Sequence, residues 1–230
     1  MAKNPTINNE IKVQNKKLKD MTGAQKKEYI WEYYKIHIIG TLIAIAAVIC
    51  FILMFMRNNY DAVFTTVVVD GKMTGFSDNK DKLTTEFTKY LGIDGKSKRV
   101  IFDNNYSLIQ KTGDEDVYYS TQKLVTMATA KSIDGYLCEY DYVTFYSGDD
   151  ELFLTDLTEL LTPDELSKLS AYLVYYTTTD GTKIPIAVDL TSTRVKTETD
   201  LTMKRPCYGV VSTSTHSENA VKFIKYAFGL

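Results

Sequence analysis

The amino-acid sequence predicts one transmembrane helix followed by a single α/β domain, its mostly parallel sheet flanked by helices. Three observations predict it. Residues 36–56 form an unbroken apolar run, lysines crowd one side of that run, and the chain from residue 60 to residue 230 alternates short β-branched runs with stretches of helical period. At 230 residues, 44% hydrophobic and 24% charged, the chain is long enough for one sizeable core and has the composition of a folded protein.

Ile36 to Met56 reads IHIIGTLIAIAAVICFILMFM, 21 residues without Asp, Glu, Lys or Arg. At about 1.5 Å per residue this helix is about 31 Å long, close to the hydrocarbon thickness of a bilayer. A core helix rarely runs so far without a polar face. A secretory signal has a short basic head, a shorter apolar run and small residues just beyond it. Here 35 residues precede the run, and Arg57-Asn58-Asn59-Tyr60 offers no small-x-small site. Ile49 stands directly before Cys50, where lipoprotein cleavage wants a small residue. The span is therefore expected to stay as an uncleaved signal anchor. Lys16, Lys17, Lys19, Lys26, Lys27 and Lys35 precede it within 20 residues, against Arg57 and Lys72 after it. The positive-inside rule then expects a cytoplasmic N-terminus and an extracytoplasmic C-terminal domain, single-pass in a bacterial-style cytoplasmic membrane.

Thr22-Gly23-Ala24-Gln25 has capping-box spacing and opens a helix that carries Tyr29, Trp31, Tyr33, Tyr34 and Lys35 into the membrane interface, where amphipathic rings and lysines settle. Residues 1–20 are polar and Asn/Lys-rich, expected as a disordered tail. The organisation is a tail and interfacial helix over 1–35, the span over 36–56, and the domain over 60–230. Residues 1–57 carry nine Lys/Arg and four Asp/Glu, and the remainder 18 and 25, so the domain stands at −7. It has no basic footprint for phosphate, which sets nucleic acid aside as a partner.

Within the domain, strands are expected over 62–69, 99–103, 133–138, 172–177, 183–189 and 207–212. Asp180-Gly181 marks a hairpin between the fourth and fifth. Helices are expected over 78–91 and 116–131, with a helical or turn-rich stretch over 139–147. Thr162-Pro163-Asp164-Glu165 combines an N-cap, a first-turn proline and a capping-box glutamate, opening a helix to about Leu169. Thr215-His216-Ser217-Glu218 has the same spacing before the terminal helix.

No metal-ligand spacing, nucleophile elbow, phosphate loop or dinucleotide fingerprint occurs, so neither a cofactor nor catalysis is expected. Cys50 lies in the span. A disulfide between Cys138 and Cys207 stays open, with two buried free thiols as the expected state. His37 reads as an interface residue and His216 as a helix-start residue. The acidic runs Gly113-Asp114-Glu115-Asp116 and Asp149-Asp150-Glu151 read as solvated helix or turn starts rather than cation sites. Ligands of α/β sheets gather outside the carboxyl ends of the strands. Those ends carry Asp70 and Gly71, then Asp103, Asn104 and Asn105, then Glu139, Tyr140 and Asp141, with Tyr142 as a flat stacking surface. These form the candidate ligand-binding set; the competing reading is ordinary polar strand-end loops.

Three stretches resemble one lobe of the type II periplasmic solute-binding proteins. They are Ile133-Asp134-Gly135-Tyr136-Leu137 through Leu152 with Thr155-Asp156-Leu157-Thr158, then Asp180-Gly181-Thr182-Lys183-Ile184-Pro185, and finally Tyr208-Gly209-Val210-Val211 with Ser217-Glu218-Asn219-Ala220-Val221-Lys222-Phe223-Ile224. Their order covers residues 62–230. The resemblance implies a lobe-like fold and binding of a small solute. The family places a second lobe after the hairpin, whereas here only Leu190 to Pro206 stand between hairpin and return strand, too short for a lobe. The expected role is thus a membrane-anchored recognition domain for a small solute or another membrane protein. The alternative is an interaction subunit of a membrane assembly without a small ligand, marked by an exposed apolar patch where the second lobe would stand. An enzyme is the third and least supported class.

Overall fold

The structure, a computed structural model, describes residues 12–13, 16, 21–76, 80–109 and 115–230. The expected disordered tail and the side chains of the 113–116 acidic run fall almost wholly outside them. The chain divides into two compact units between Asn59 and Tyr60.

The first unit is built on α1 (Gly23–Asn58), one continuous helix of 36 residues. Thr22 is its N-cap, and the Thr22 N–H donates to Gln25 Oε1 at 3.0 Å, as the capping-box spacing predicts. Tyr34–Met56 spans 23 residues, and its most apolar window of 18 residues has a mean hydropathy of 3.0 and no buried residue. It is long and apolar enough to cross a membrane, as either an anchor or a signal sequence would be. Trp31 and Lys35 are exposed and Tyr29 and Tyr34 half-buried, with the Tyr34 ring edge-on to His37 at 6.4 Å; the Tyr33 side chain lies outside the described residues.

The second unit is a six-stranded sheet with helices on both faces. In chain order it runs β1 (Asp61–Val69), α2 (Lys82–Tyr90), β2 (Lys98–Tyr106), α3 (Glu115–Thr129), β3 (Gly135–Glu139), α4 (Leu157–Leu160), α5 (Pro163–Leu169), β4 (Leu173–Thr177), β5 (Lys183–Asp189), α6 (Arg194–Thr197), β6 (Pro206–Val210) and α7 (Ser217–Phe228). The strand order is β2-β1-β3-β6-β5-β4. β1 pairs parallel with β2 and β3, whereas β3–β6, β6–β5 and β5–β4 are antiparallel. The sheet is therefore mixed, and the expectation of a mostly parallel sheet is corrected. β6 returns beside β3 in the opposite direction, and the β4–β5 hairpin closes the far edge.

Side-chain alternation divides the core in two. Phe64, Val68, Leu137, Tyr208 and Val210 face α2, α5 and α7, where Phe87 and Phe223 complete an aromatic cluster. Val67, Val69, Tyr136, Cys138 and Cys207 face α3, packing on Leu124 and Ala128. Gly135 makes room for the Tyr208 ring within the first of these layers, because a Cβ there would collide with Thr66 Oγ1 and the Tyr208 ring and hydroxyl. The stretch from Leu190 to Pro206 holds only the single turn α6, and it buries Leu190, Val195, Leu201 and Met203 in the core.

Four element expectations are sharpened or corrected. Of the helix expected over 78–91, residues 78 and 79 lie outside the described residues, and the described helix begins at Lys82, because the Asp81 carboxylate caps it by accepting from Thr84 N (2.7 Å) and Thr84 Oγ1 (2.6 Å). The strand expected from Ile133 begins at Gly135. The stretch 139–147 contains one 3₁₀ turn, Tyr140–Tyr142. The terminal helix is not capped by Thr215. Its N-cap is His216, which makes no side-chain cap bond, and a buried carboxylate from another element, Asp134, accepts from His216 N at 3.2 Å.

At α5 the predicted capping box forms: Thr162 N donates to Glu165 Oε2 at 2.9 Å and Glu165 N to Thr162 Oγ1 at 3.4 Å. Lys225 of α7 pairs with Glu165 at 2.6 Å. Its hydrogen bond, with those of Thr162, holds the Glu165 carboxyl down at about 2, against an ordinary 4.5. A depressed acid stabilises the fold above its unfolded pKa and loses that contribution as pH falls toward the folded value. Urea midpoints of wild type and Glu165→Gln should therefore differ at pH 7, with the variant lower, and converge as pH falls from about 4.5 to about 2.

Candidate functional site

The carboxyl ends of β1, β2, β3 and β5 and the amino ends of β4 and β6 share one edge of the sheet, as their pairing directions require. A hollow of about 750 Å³ opens there over β1 and β2. Asp70, Gly71 and Lys72 form one wall, Asn104, Asn105 and Ser107 a second, and Tyr119, Ser120 and Lys123 of α3 overhang it.

Local chemistry builds each wall. Asp70 sits at φ 56°, a left-handed turn that an aspartate tolerates when its side chain bonds locally. Its carboxylate accepts from Ser107 Oγ (2.6 Å) and Leu108 N (2.7 Å), tying the end of β1 to the end of β2. The next residues are held from behind: Lys72 N donates to Thr202 Oγ1 and Thr202 N to Lys72 O, both at 3.0 Å, and Thr74 N and Oγ1 donate to Asp200. Ser107 N donates to Ser120 Oγ at 3.0 Å, fixing α3 over the hollow. Lys123 Nζ lies 3.0 Å from Asp103 Oδ2 and 4.2 Å from the centre of the Tyr106 ring. Burial first, then the charge of Asp103, push the Tyr106 hydroxyl far above its ordinary range, so it stays protonated.

The strand-end candidates thus separate. Asp70, Asn104 and Asn105 come together in the hollow; Asp103 stands behind it, accepting from Asn105 Nδ2 at 2.8 Å and pairing with Lys123. Glu139, Tyr140 and Asp141 do not line the hollow. Glu139 accepts from Lys204 N (2.6 Å) and Arg205 N (2.9 Å), so it closes the turn into β6. The Arg205 guanidinium lies 3.7 Å from the Tyr140 ring centre and bonds Asp189 Oδ2 through Nε at 2.7 Å. Burial pushes the Asp189 carboxyl up, but bonds from Thr191 and Arg205 outweigh it and hold the group low. Asp141 is exposed beside this cluster. Burial first, then the charges of Asp70, Asp141 and Glu139, push the Tyr142 hydroxyl above its ordinary range.

Sequence reasoning missed Lys72, Ser107, Tyr119, Ser120 and Lys123. Ser120 and Lys123 are three apart, on one face of the helix that follows β2, a spacing that could have directed attention to them. The hollow mixes ammonium, amide and hydroxyl groups with Ile109, Met73 and the Tyr119 ring. Such a lining hydrogen-bonds a polar ligand and shelters an apolar part of it. Asp70 is already engaged by two donors and carries no histidine partner, so no nucleophile–base pair arises from these contacts. Among the described residues no group of three or more His, Cys, Asp or Glu side chains could hold a metal ion.

Cys138 and Cys207 stand opposite each other on β3 and β6; both are buried and free. Burial raises both thiols, that of Cys207 to about 12. Both should remain unalkylated by iodoacetamide at pH 8 in the folded chain and react once urea unfolds it, read by mass spectrometry; alkylation at the same rate without urea would contradict this burial.

Compared with protein families, curated proteins and solved structures, the chain matches none of them.

Proposed function

We propose that this chain is a single-pass membrane protein whose extracytoplasmic domain, similar to one solute-binding lobe, recognises a small polar ligand in the hollow at the ends of β1 and β2. The hollow carries the reading: polar groups from two strand ends and one helix converge there on a backbone braced by Asp70 and Thr202. It lies outside the carboxyl ends of two parallel strands, β1 and β2, the end of the strands at which α/β sheets gather ligands. The unburied apolar helix Tyr34–Met56 supports anchoring, since exposed apolar surface of that extent calls for lipid or a partner. The lysines preceding it support a cytoplasmic N-terminus. The resemblance to the solute-binding family rests on the quoted residues alone.

The test is thermal unfolding of the detergent-solubilised full chain against panels of sugars, amino acids and short peptides. One class should raise the midpoint in wild type and less in a chain carrying Asn104→Ala and Tyr119→Ala. Silence across all classes would overturn the ligand reading. A second reading, an interaction subunit without a small ligand, is favoured by exposed apolar side chains at Tyr118 (61%) and Val125 (49%) on α3 and at Phe145 (55%) after β3. Co-purification of a membrane protein, lost in Tyr118→Ala or Phe145→Ala, would support it.

A further inference from the structure

The opposite edge of the sheet carries a different chemistry. Tyr60 precedes β1, Asp61 N donates to Ser97 O at 2.8 Å, and the β1–β2 register sets Asp61 against Lys98 and Ala62 against Arg99. The loop into β2 is fixed by one carboxylate: Asp94 Oδ1 accepts from the N–H groups of Lys96 (2.9 Å), Ser97 (3.0 Å) and Lys98 (3.1 Å), and Oδ2 accepts from Ser97 Oγ. These bonds hold the Asp94 carboxyl far below its usual range. Gly95, at φ 67°, makes the turn and lies against Thr88, next to Lys89 at the end of α2. Lys89, Lys96 and Lys98 are exposed, and among the described residues none of them joins an ion pair. The Arg99 guanidinium sits 4.1 Å from the centre of the Tyr60 ring.

We infer that this corner, formed by Tyr60, Lys89, Lys96, Lys98 and Arg99, docks on the anionic phospholipid headgroups of the membrane that holds the chain. The inference rests on the anchoring proposed above. Four cations against Asp61 and Asp94 give the corner a net +2, in a domain whose remainder stands at −9. A basic loop held rigid by its own carboxylate meets phosphates without first being ordered. A tyrosine ring with one wet end, stacked on an arginine, is suited to the same depth. Covalent reach supplies the rest: Tyr60 is the fourth residue after Met56, and four residues of chain span at most about 14 Å however they are arranged. Headgroups are therefore always at high effective concentration, and weak attraction per cation suffices. The eight steps along the nine residues of β1 rise about 3.3 Å each, so the hollow lies about 26 Å from this corner, at the other end of β1.

The test is lysine acetylation footprinting of the full chain in vesicles of phosphatidylcholine alone or with one-third phosphatidylglycerol, read by mass spectrometry. Acetylation of Lys89, Lys96 and Lys98 should slow several-fold in the anionic vesicles and recover in high salt, while exposed Lys204 at the other edge is unchanged. A chain carrying Lys96→Glu and Lys98→Glu should lose the protection at Lys89. Inorganic phosphate added to phosphatidylcholine vesicles should protect none of them, which separates lipid from free anion. Equal rates in both vesicles, from a chain that resists carbonate extraction, would overturn the corner and leave the anchoring intact. Protection that appears only with added polyglutamate would assign the corner to an acidic protein instead. Extraction by carbonate would overturn anchoring and corner together.

Discussion

Replacing Asp134 by alanine should cost the domain about 3–5 kcal/mol, a large part of the about 5–15 kcal/mol that holds a domain folded. Asp134 is the junction of four elements. Its backbone N donates to Thr65 O on β1 (2.7 Å), and its carbonyl accepts from Val211 N after β6 (3.0 Å). Its carboxylate is 3% exposed and accepts from Thr65 N (2.8 Å), Ser214 Oγ (2.7 Å) and His216 N (3.2 Å). Alanine would strand those donors, each at about 1–3 kcal/mol when buried, and would uncap α7. Asparagine keeps the volume but turns one oxygen into a donor facing donors, so Asp134→Asn should be destabilising by a smaller margin. Denaturant midpoints followed by far-UV circular dichroism measure both, and a loss under about 1 kcal/mol for alanine would contradict the assigned role.

Phe223→Ala should cost a similar amount, about 3–5 kcal/mol, by a different route. The Phe223 ring lies at the centre of one core layer, with ring centres of Tyr208 at 4.7 Å, Phe87 at 5.1 Å, Phe102 at 5.5 Å and Phe64 at 5.6 Å. Those neighbours come from β6, α2, β2 and β1, and they cannot all collapse into the space left behind. Phe145→Ala, at a ring 55% exposed, should stay within about 0.5 kcal/mol and serves as the control. Near-equal midpoints for the two variants would contradict the described packing.

Much of this architecture is readable from residue patterns. β-branched runs such as Val67-Val68-Val69 mark strands, and Thr162 with Glu165 marks the start of α5. Strand direction is not readable that way. Continuous burial along a strand usually accompanies parallel pairing between helical layers. β6 is buried at all five residues, yet it runs antiparallel to both its neighbours, because helices cover both faces of this mixed sheet. The cap of α7 was unreadable for a related reason: the carboxylate that serves it stands 82 residues earlier in the chain. The hollow was half readable. Strand-end residues Asp70, Asn104 and Asn105 belong to it, while Glu139 satisfies two backbone donors of the turn into β6 and only tertiary structure brings Lys72 and Lys123 to one opening.

The proposed anchoring and orientation are tested most directly by adding protease to intact cells and sequencing what remains in the membrane. The domain should be lost from Tyr60 onward, leaving a fragment that still begins ahead of the six lysines and contains Ile36 to Met56. A domain that survives outside protease in unbroken cells, or a mature chain that starts after Met56, would contradict that anchoring and orientation.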